Sequence, residues 1–364
     1  MIEPNTTAPP PIRKLLGWRR LLALAPFVVT LAIGEIAMRW RHASKGYPAL
    51  PGVSFRDHRI DLIRRAFPAQ FDPLLGYVPS AGYSGSDNVW GTRVSIRADG
   101  LRSNGAATPV SGPALLAVGD SFVFGDQVHD EESWPAGLER RLERPVHNGG
   151  VFGYGFDQTV LRAEQLLERL DVQVLVCSLI ADDLSRCELS RRYTHKPWFE
   201  LVDEGLELRG VPVPDASGVH ARENQWMRDL LGQSALCDVV CWNVAPNWWA
   251  GQPRFVRVHP AGTGLEIGKR LLARLEKACA QRKVKLLLVL QAQGSELGPA
   301  AAVGANKLLE HAARAGLDTL DLDLRLRERS ERDPSLGKMF FAGHMTAAGN
   351  QWVAEQISEH LRGR

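Results

Sequence analysis

The sequence predicts an α/β protein whose mostly parallel sheet carries helices on both faces. From Pro113 to the C-terminus, short apolar runs alternate with longer segments of helical periodicity, and three polar motifs come directly after apolar runs. A strand–helix unit that repeats in this way returns each strand parallel to the one before it. Because ligands bind at the carboxyl ends of such strands, we expect the three motifs to meet at one edge of the sheet.

The predicted elements of this domain, residues 113–364, follow one another regularly. In chain order they are strand Leu115–Val118, helix Ser133–Leu142, strand Val146–His147, helix Gln158–Leu170, strand Val172–Ile180, helix Gly264–Gln281, strand Val284–Leu290, helix Ala300–Ala315, strand Leu317–Leu322 and helix Thr346–Leu361. An insertion at about 185–260 interrupts the series, and Asp203-Glu204-Gly205 within it predicts the turn of a β-hairpin.

Composition agrees with one large domain plus appendages. The chain has 364 residues, of which 45% are hydrophobic and 23% charged, and this excludes a disordered or fibrous protein. The net charge of +3 is small, and no long basic block occurs beyond the N-terminal region. We therefore expect no nucleic-acid partner.

The N-terminal region predicts a tail followed by a membrane anchor. Residues 1–17 begin with a Pro/Thr-rich stretch and are predicted to be disordered, and the apolar run within 18–40 has the length of a bilayer span. A cleaved signal peptide is the alternative, but no small-x-small cleavage site precedes Arg39. The cations before the run favour a cytoplasmic N-terminus and an exported remainder, bound to the membrane through this single helix.

Residues 41–112 predict a β-rich lead-in segment. In Thr92–Arg97, two β-branched residues alternate with Arg93 and Ser95, and the surrounding sequence is rich in Gly, Pro, Ser and Asp. We interpret this segment as packing against the main domain.

Three tryptophans of the insertion, Trp242, Trp248 and Trp249, allow three interpretations. Their rings could stack on sugars, rest at a membrane interface, or pack the insertion against the domain.

The five cysteines predict no metal site. Cys177 and Cys279 lie at core positions and are expected to be buried thiols, whereas Cys237 and Cys241 lack a second Cys/His pair at zinc-ligand spacing. In an oxidising compartment Cys187 could pair with one of the insertion cysteines, although connectivity cannot be deduced from spacing.

Ser121 is the candidate nucleophile. The predicted strand Leu115–Val118 ends at Gly119 and places Asp120-Ser121 on a tight turn. A nucleophilic serine suits such a turn, because its hydroxyl stands clear of the sheet while free N–H groups can meet an oxyanion. A plain structural turn of the same composition is the alternative interpretation.

Four motifs, in order and at matching spacing, resemble the GDSL/SGNH hydrolase family. They are GDSF at Gly119–Phe122, NGGVFGYG at Asn148–Gly155, ADDL at Ala181–Leu184 and GHMTAAGN at Gly343–Asn350. The resemblance covers about two thirds of the chain and extends to LGY and DGLR elements in the lead-in. It implies a flavodoxin-like doubly wound sheet, a bacterial envelope protein whose catalytic domain faces the periplasm or cell exterior, and a serine ester hydrolase without cofactor or metal.

The resemblance also implies residue roles. Ser121 would be the nucleophile and His344 the base, and Ser121, Gly150 and Asp182 would form the oxyanion hole. Two positions depart from the family. Asp182 stands where an asparagine donates, and a carboxylate would repel the oxyanion unless it is protonated or points away. Phe341 and Ala342 stand where the family places the acid that orients the histidine, so a backbone carbonyl or a distant acid must do so.

Three functions follow from the motifs. The first is an esterase that removes acyl groups such as acetyl from an envelope carbohydrate or lipid. The second is an O-acyltransferase, since a sugar hydroxyl can replace water in the same serine chemistry. The third is a catalytically silent binding protein that keeps the fold, which the two departures make credible.

Overall fold

The structure is a computed structural model, and it describes residues 13–44, 54–105, 111–203, 205–215, 225–294 and 303–363. The first elements are helices α1 (Arg13–Ala43) and α2 (Phe55–Ala66), followed by strands β1 (Ala69–Asp72), β2 (Gly76–Pro79), β3 (Ser84–Gly85) and β4 (Val94–Ser95). Next come β5 (Ala114–Val118), α3 (Ser121–Phe124), α4 (Trp134–Leu142), β6 (Val146–Asn148), α5 (Phe156–Arg169), β7 (Val172–Leu179) and α6 (Ala181–Arg186).

The second half of the chain opens with the insertion. Its elements are β8 (Leu189–Arg192), β9 (Thr194–His195), β10 (Trp198–Val202), β11 (Gly205–Arg209), α7 (Gln225–Leu231), α8 (Ala235–Val244), α9 (Pro246–Ala250) and β12 (Phe255–Arg257). The chain ends with α10 (Gly264–Gln281), β13 (Lys285–Leu290), α11 (Val303–Arg314), β14 (Asp318–Asp321), α12 (Leu322–Arg332), α13 (Leu336–Phe340), β15 (Phe341–Ala342), β16 (His344–Met345) and α14 (Ala347–Arg362).

The central sheet has five strands, and all of them are parallel. Their spatial order is β6-β5-β7-β13-β14, which is the 2-1-3-4-5 order of flavodoxin-like folds. This confirms the predicted doubly wound α/β fold. In this order the direction of winding reverses between β5 and β7, so the loops after these two strands flank the crevice where ligands bind.

Helices cover both faces of the sheet because nearly every residue of its inner strands is apolar. Leu116, Leu175 and Leu288 belong to a core that includes residues of α5, α10 and α11. Their chain neighbours, such as Leu115, Val176 and Leu287, belong to a second core with residues of α4, α12 and α14. Strands that are buried on both faces are expected in a parallel sheet, and this explains the continuous apolar runs in the sequence.

Two helices of the C-terminal part, α12 and α13, were not predicted. The sequence of α12, LDLRLRERSER, has few apolar residues, and of these Leu322 and Leu326 are buried. An apolar stripe this narrow gives only a weak helical periodicity.

The described chain divides into two compact units. One comprises residues 1–62 and 220–252, and the other comprises 63–219 and 253–364. The predicted insertion at 185–260 is therefore not a single element. Its hairpin, in which β10 pairs with β11 as predicted, belongs to the second unit, whereas α7, α8 and α9 belong to the first.

Within the first unit, α1 packs on α8 through an acid that caps a helix. The carboxylate of Glu35 accepts hydrogen bonds from the Ser234 hydroxyl at 2.6 Å and from the Ala235 and Leu236 N–H groups at 3.0 Å each. A carboxylate at a helix N-terminus satisfies N–H groups that have no partner within the helix.

Buried polar groups also hold the helices of this unit together. Asp238, fully buried, accepts hydrogen bonds from Arg59 and from Nε1 of Trp249, whose ring is fully buried too. Trp249 is therefore buried within the first unit, and the interpretation that these tryptophans pack the insertion against the sheet domain stays a prediction.

The structure changes the predictions for residues 1–112. Residues 1–12 of the predicted tail lie outside the described residues, but α1 begins at Arg13 and so includes the last part of the predicted range 1–17. The tail prediction is wrong there, because the prolines that disfavour a helix end at Pro11. The lead-in at 41–112 contains strands, as expected, but it also contains the helix α2.

The predicted transmembrane anchor at 18–40 is not supported. In the part of the chain that the structure describes, no helix combines the length and the hydropathy that crossing a membrane requires.

All five cysteines are free thiols in this structure. Cys177 and Cys279 are buried, as predicted, and so is Cys187, which forms no disulfide with either insertion cysteine.

Removing apolar volume from an inner strand of the sheet should destabilise the protein strongly. Leu288 on β13 is fully buried, and we expect Leu288→Ala to lower the free energy of unfolding by about 2–5 kcal/mol. Leu324→Ala, at an exposed position of α12, is the control and should cost much less. Denaturant unfolding measures both variants, and equal losses would contradict the assigned core.

Candidate active site

The nucleophile turn is fixed by its own sequence. Asp120 caps the short helix α3, because its Oδ1 accepts a hydrogen bond from the Phe122 N–H at 3.0 Å. Ser121 is therefore the first residue of α3, directly beyond the carboxyl end of β5. The second motif packs closely on this turn, since a Cβ atom at Gly150 would lie 2.4 Å from the Phe124 nitrogen. Only glycine allows that approach.

Ser121 and His344 come together, as the sequence predicts. The Ser121 Oγ lies 3.1 Å from Nε2 of His344 and 3.3 Å from Oδ2 of Asp120. His344 begins β16, after a turn at Gly343 with φ +88°, and its N–H donates to Oε1 of Gln127 at 3.2 Å. A serine and an imidazole at this distance form the pair that nucleophilic catalysis requires.

The surroundings of His344 favour the neutral imidazole. Burial lowers the pKa of His344 below its ordinary value, and the positive charges of Arg186 and Arg192 act in the same direction. The negative charge of Asp120 opposes them without reversing the shift. A neutral ring is the form that can take the serine proton.

No acid takes the position that orients the histidine in the family. Phe341 is buried in the core and Ala342 pairs with His344 across the β15–β16 turn. None of the described residues forms a hydrogen bond with Nδ1. Instead, Oδ2 of Asp126 lies 3.7 Å from Nε2, the nitrogen that faces the serine. The sequence analysis missed Asp126, and its only signal is its place five residues after Ser121 in the nucleophile loop.

A buried arginine joins three of the four motifs. Nη1 of Arg186 donates to Oδ2 of Asp120 at 3.0 Å, to Oδ1 of Asp183 at 2.7 Å and to the carbonyl of Tyr154 at 2.7 Å. The Asp183 carboxylate also accepts the Ile180 N–H at 3.0 Å. The third motif is therefore tied to the nucleophile turn through Asp183 and Arg186, which the sequence analysis did not assign.

The charges in this network perturb one another. Burial and the charge of Asp120 raise the pKa of Asp183 well above its ordinary value, although Arg186 acts against them. Burial would lower the pKa of Arg186, but the attraction of Asp183 and Asp120 outweighs it and the pKa is raised. The guanidinium is thus permanently charged, and its positive charge compensates the two buried carboxyl groups that it contacts.

The three predicted oxyanion donors have different surroundings. Among the described residues none accepts a hydrogen bond from the Ser121 N–H, whereas the Gly150 N–H donates to Oδ1 of Asn148 at 3.1 Å. The Asp182 side chain is 54% exposed and accepts a hydrogen bond from Nε2 of Gln293 at 2.6 Å. Its carboxylate also lies 3.7 Å from Nη2 of Arg186. The oxyanion role of Asp182 stays a prediction, and its carboxylate points to the surface here.

The lead-in segment holds the motifs from outside. Arg102, of the DGLR element, is fully buried and donates to the carbonyls of Phe124 at 2.6 Å, Gly125 at 2.5 Å and Val128 at 2.7 Å. Tyr77, of the LGY element, donates to the carbonyl of Phe152 at 2.7 Å. The two elements therefore fix the loop after the nucleophile and the glycine motif, respectively.

The sequence analysis predicts neither a cofactor nor a metal at this site. Within the described ranges, no group of three or more His, Cys, Asp or Glu side chains is arranged to hold a metal ion.

No protein-family model and no curated protein matches the sequence. Among solved structures, the chain is similar to a member of the lipolytic protein G-D-S-L family from Veillonella parvula DSM 2008, at 13% identity over 68% of this chain and 97% of that chain, with a TM-score of 0.40. It is also similar to TesA, at 15% identity over 69% and 98%, with a TM-score of 0.39. The third is AlinE4, an SGNH-hydrolase family esterase, at 16% identity over 70% and 98%, with a TM-score of 0.36. TM-scores this low carry no argument about function.

Replacing Arg186, the cation between Asp120 and Asp183, should destabilise the protein, and the loss of stability should be larger at high pH. Arg186→Met leaves Asp120 and Asp183 buried without their partner, so we expect the free energy of unfolding to fall by about 3–5 kcal/mol. The pKa of Asp183 would rise further above its unfolded value, and a group with a raised pKa loses stability as the pH increases. Urea unfolding at pH 5.5 and pH 8 measures the difference.

Arg314→Met is the control, because the Arg314–Glu310 pair is exposed and should contribute less than about 1 kcal/mol. A loss in Arg186→Met that is as small as the control's, or that shrinks with increasing pH, would contradict the network.

Proposed function

We propose that the protein is a serine ester hydrolase. The observation that carries this proposal is the Ser121 Oγ lying 3.1 Å from Nε2 of His344. The pair lies beyond the carboxyl end of β5, beside the point where the winding of the sheet reverses. A nucleophile and a base within hydrogen-bond distance in such a crevice are suited to acyl transfer.

The reaction would proceed in two halves. His344 takes the Ser121 proton at Nε2 while Oγ attacks the ester carbonyl carbon, and the carbonyl oxygen becomes an oxyanion. The resulting imidazolium gives that proton to the leaving alkoxide, and the acyl group stays on Oγ. Water then attacks the acyl-enzyme while Nε2 of His344 takes a proton from it. His344 returns this proton to the Ser121 Oγ as the bond between Oγ and the acyl group breaks, which releases the carboxylic acid and restores the serine.

Backbone N–H groups are the donors that this site offers to the oxyanion. The Ser121 N–H lies at the start of α3 on the nucleophile itself, and the Gly150 N–H lies on the segment packed against α3. The second group would have to share its proton between Asn148 and the substrate. Donors in place before the reaction stabilise the developing charge without reorganisation.

The substrate class rests on the sequence resemblance. We propose an acylated carbohydrate or lipid, with acetyl as the acyl group. A domain facing the periplasm or the cell exterior stays a prediction.

Replacing the nucleophile should abolish hydrolysis. We expect Ser121→Ala to lower kcat for p-nitrophenyl acetate by at least about 10³-fold, because no other group in the pair can form the acyl-enzyme. Stability should fall by no more than about 2 kcal/mol, since the lost hydroxyl contacts only His344 and Asp120, at 3.1 and 3.3 Å. Ser84→Ala, which removes an exposed hydroxyl on β3, is the control and should leave kcat unchanged. Hydrolysis retained in Ser121→Ala would contradict the proposal.

Replacing Asp182 tests the third oxyanion position. The carboxylate faces solvent and Gln293 in this structure, so we expect Asp182→Asn to change kcat by less than about threefold, far below the 10²- to 10³-fold effect of a true oxyanion donor. A large increase above pH 7 would instead show that Asp182 enters the hole and opposes the oxyanion when it is ionised. Rates measured from pH 6 to pH 9 distinguish the two outcomes.

Two further measurements distinguish the proposed hydrolase from the two alternative functions. Acyl groups transferred to an added oligosaccharide, with little free acid released, would identify an O-acyltransferase. A wild-type protein that neither hydrolyses esters nor reacts with a fluorophosphonate probe at Ser121 would be a silent binding protein.

A further inference from the structure

In the part of the chain that the structure describes, Asp126 is the one acid that forms an ion pair with the imidazole of His344, at the nitrogen facing the serine. Its Oδ2 lies 3.7 Å from Nε2, and Ser121 Oγ lies 3.1 Å from the same atom. Asp126 is largely buried, and its Oδ1 forms no hydrogen bond with any described residue. A buried carboxylate oxygen without a partner is costly, so its retention beside the base needs a reason.

The loop that carries Asp126 is held rigidly against His344. Arg102 binds the carbonyls of Phe124, Gly125 and Val128, which precede and follow Asp126 in the chain. The next residue, Gln127, accepts the His344 N–H at 3.2 Å. The same short loop therefore contacts both the backbone and the ring of His344.

We propose that Asp126 is the carboxylate partner of His344 and that it acts at Nε2, the nitrogen that takes the serine proton, instead of at Nδ1. This inference rests on the proposed serine chemistry and supplies the acid that Phe341 and Ala342 do not provide. When the Ser121 proton moves to Nε2, the ionised Asp126 stabilises the imidazolium and its N–H. No bond to Asp126 forms or breaks in this step. It is a positioning and charge-stabilising residue.

The charges around Asp126 determine when it is ionised. Five charged or titratable groups interact with it electrostatically: Asp120 before α3, Arg102 on the lead-in, Arg186 on α6, His344 on β16 and Tyr77 on β2. Burial, followed by the charge of Asp120, raises the pKa of Asp126 well above its ordinary value, while Arg102, the nearby Trp90 side chain and Arg186 act to lower it. Asp126 and His344 therefore compete for one proton and titrate as a pair.

In the reactive form of this pair, Asp126 is ionised and His344 is neutral. This determines the direction in which activity changes with pH. As the pH falls, activity is lost when either Asp126 or His344 takes up a proton. Without the carboxylate only the imidazole can take that proton, and burial lowers the pKa of His344. The acid limb of the activity profile should therefore move to lower pH when Asp126 is neutralised.

The test is Asp126→Asn, which keeps the shape of the side chain and removes its charge. We expect kcat for p-nitrophenyl acetate to fall by roughly 10²-fold with KM nearly unchanged, and the acid limb to move to lower pH. Asp323→Asn is the matched control, because Asp323 is another buried carboxyl group whose pKa burial raises, beside Arg327 on α12. Asp323→Asn should change neither kcat nor the position of the acid limb. An unchanged kcat, or a lower kcat without a shift of the acid limb, would overturn the proposal.

A second measurement does not need an active enzyme. In the wild type, the carboxyl ¹³C resonance of Asp126 and the ring resonances of His344 should share a titration midpoint in NMR spectra. His344→Gln should displace the midpoint of Asp126. Independent titration of the two groups would overturn the proposal even if the protein hydrolyses esters. Shared titration in a protein that hydrolyses no ester would instead leave this contact intact and refute the proposed function.

Discussion

The site depends on one buried guanidinium that lies between two buried carboxylates. Arg186 reaches Asp120 after β5, Asp183 after β7 and the carbonyl of Tyr154 in the glycine motif. The two strands are neighbours at the centre of the sheet, and their ends flank the crevice. Charged groups tolerate burial only when they are paired and hydrogen-bonded, so the three segments keep one relative arrangement. Asp120 precedes the nucleophile directly, and the position of Ser121 follows from this arrangement.

Burial is also the main cause of the electrostatic state of the site. It lowers the pKa of His344 and raises the pKa values of Asp126 and Asp183. The same desolvation thus keeps the base neutral and makes its neighbouring acid weak. A base that is neutral at rest but is stabilised once it becomes charged suits proton transfer, because the favourable interaction strengthens as the reaction proceeds.

The sheet could be predicted from the sequence because each inner strand is a short apolar run followed by a helix, and this pattern permits few topologies. Ser121 and His344 could be predicted from their motifs. The cap that Glu35 forms could not, since its partner Ala235 lies 200 residues away and nothing local to either residue indicates the contact. In the sequence, Glu35 is only an acid within an apolar run. Asp126 was missed for a similar reason, because its contact with His344 arises from the loop held by Arg102 and not from a spacing rule.

The Arg102 clamp has a consequence for how the domain can be divided. A fragment that begins at the first sheet strand, β5, would contain Ser121, Asp126, Arg186 and His344, together with every strand of the sheet. It would lack the guanidinium that binds three carbonyls of the nucleophile loop. Such a fragment transplanted into another protein would retain its topology while the loop lost its anchor. The lead-in and the sheet domain therefore form one functional module, although the lead-in contributes no reacting atom.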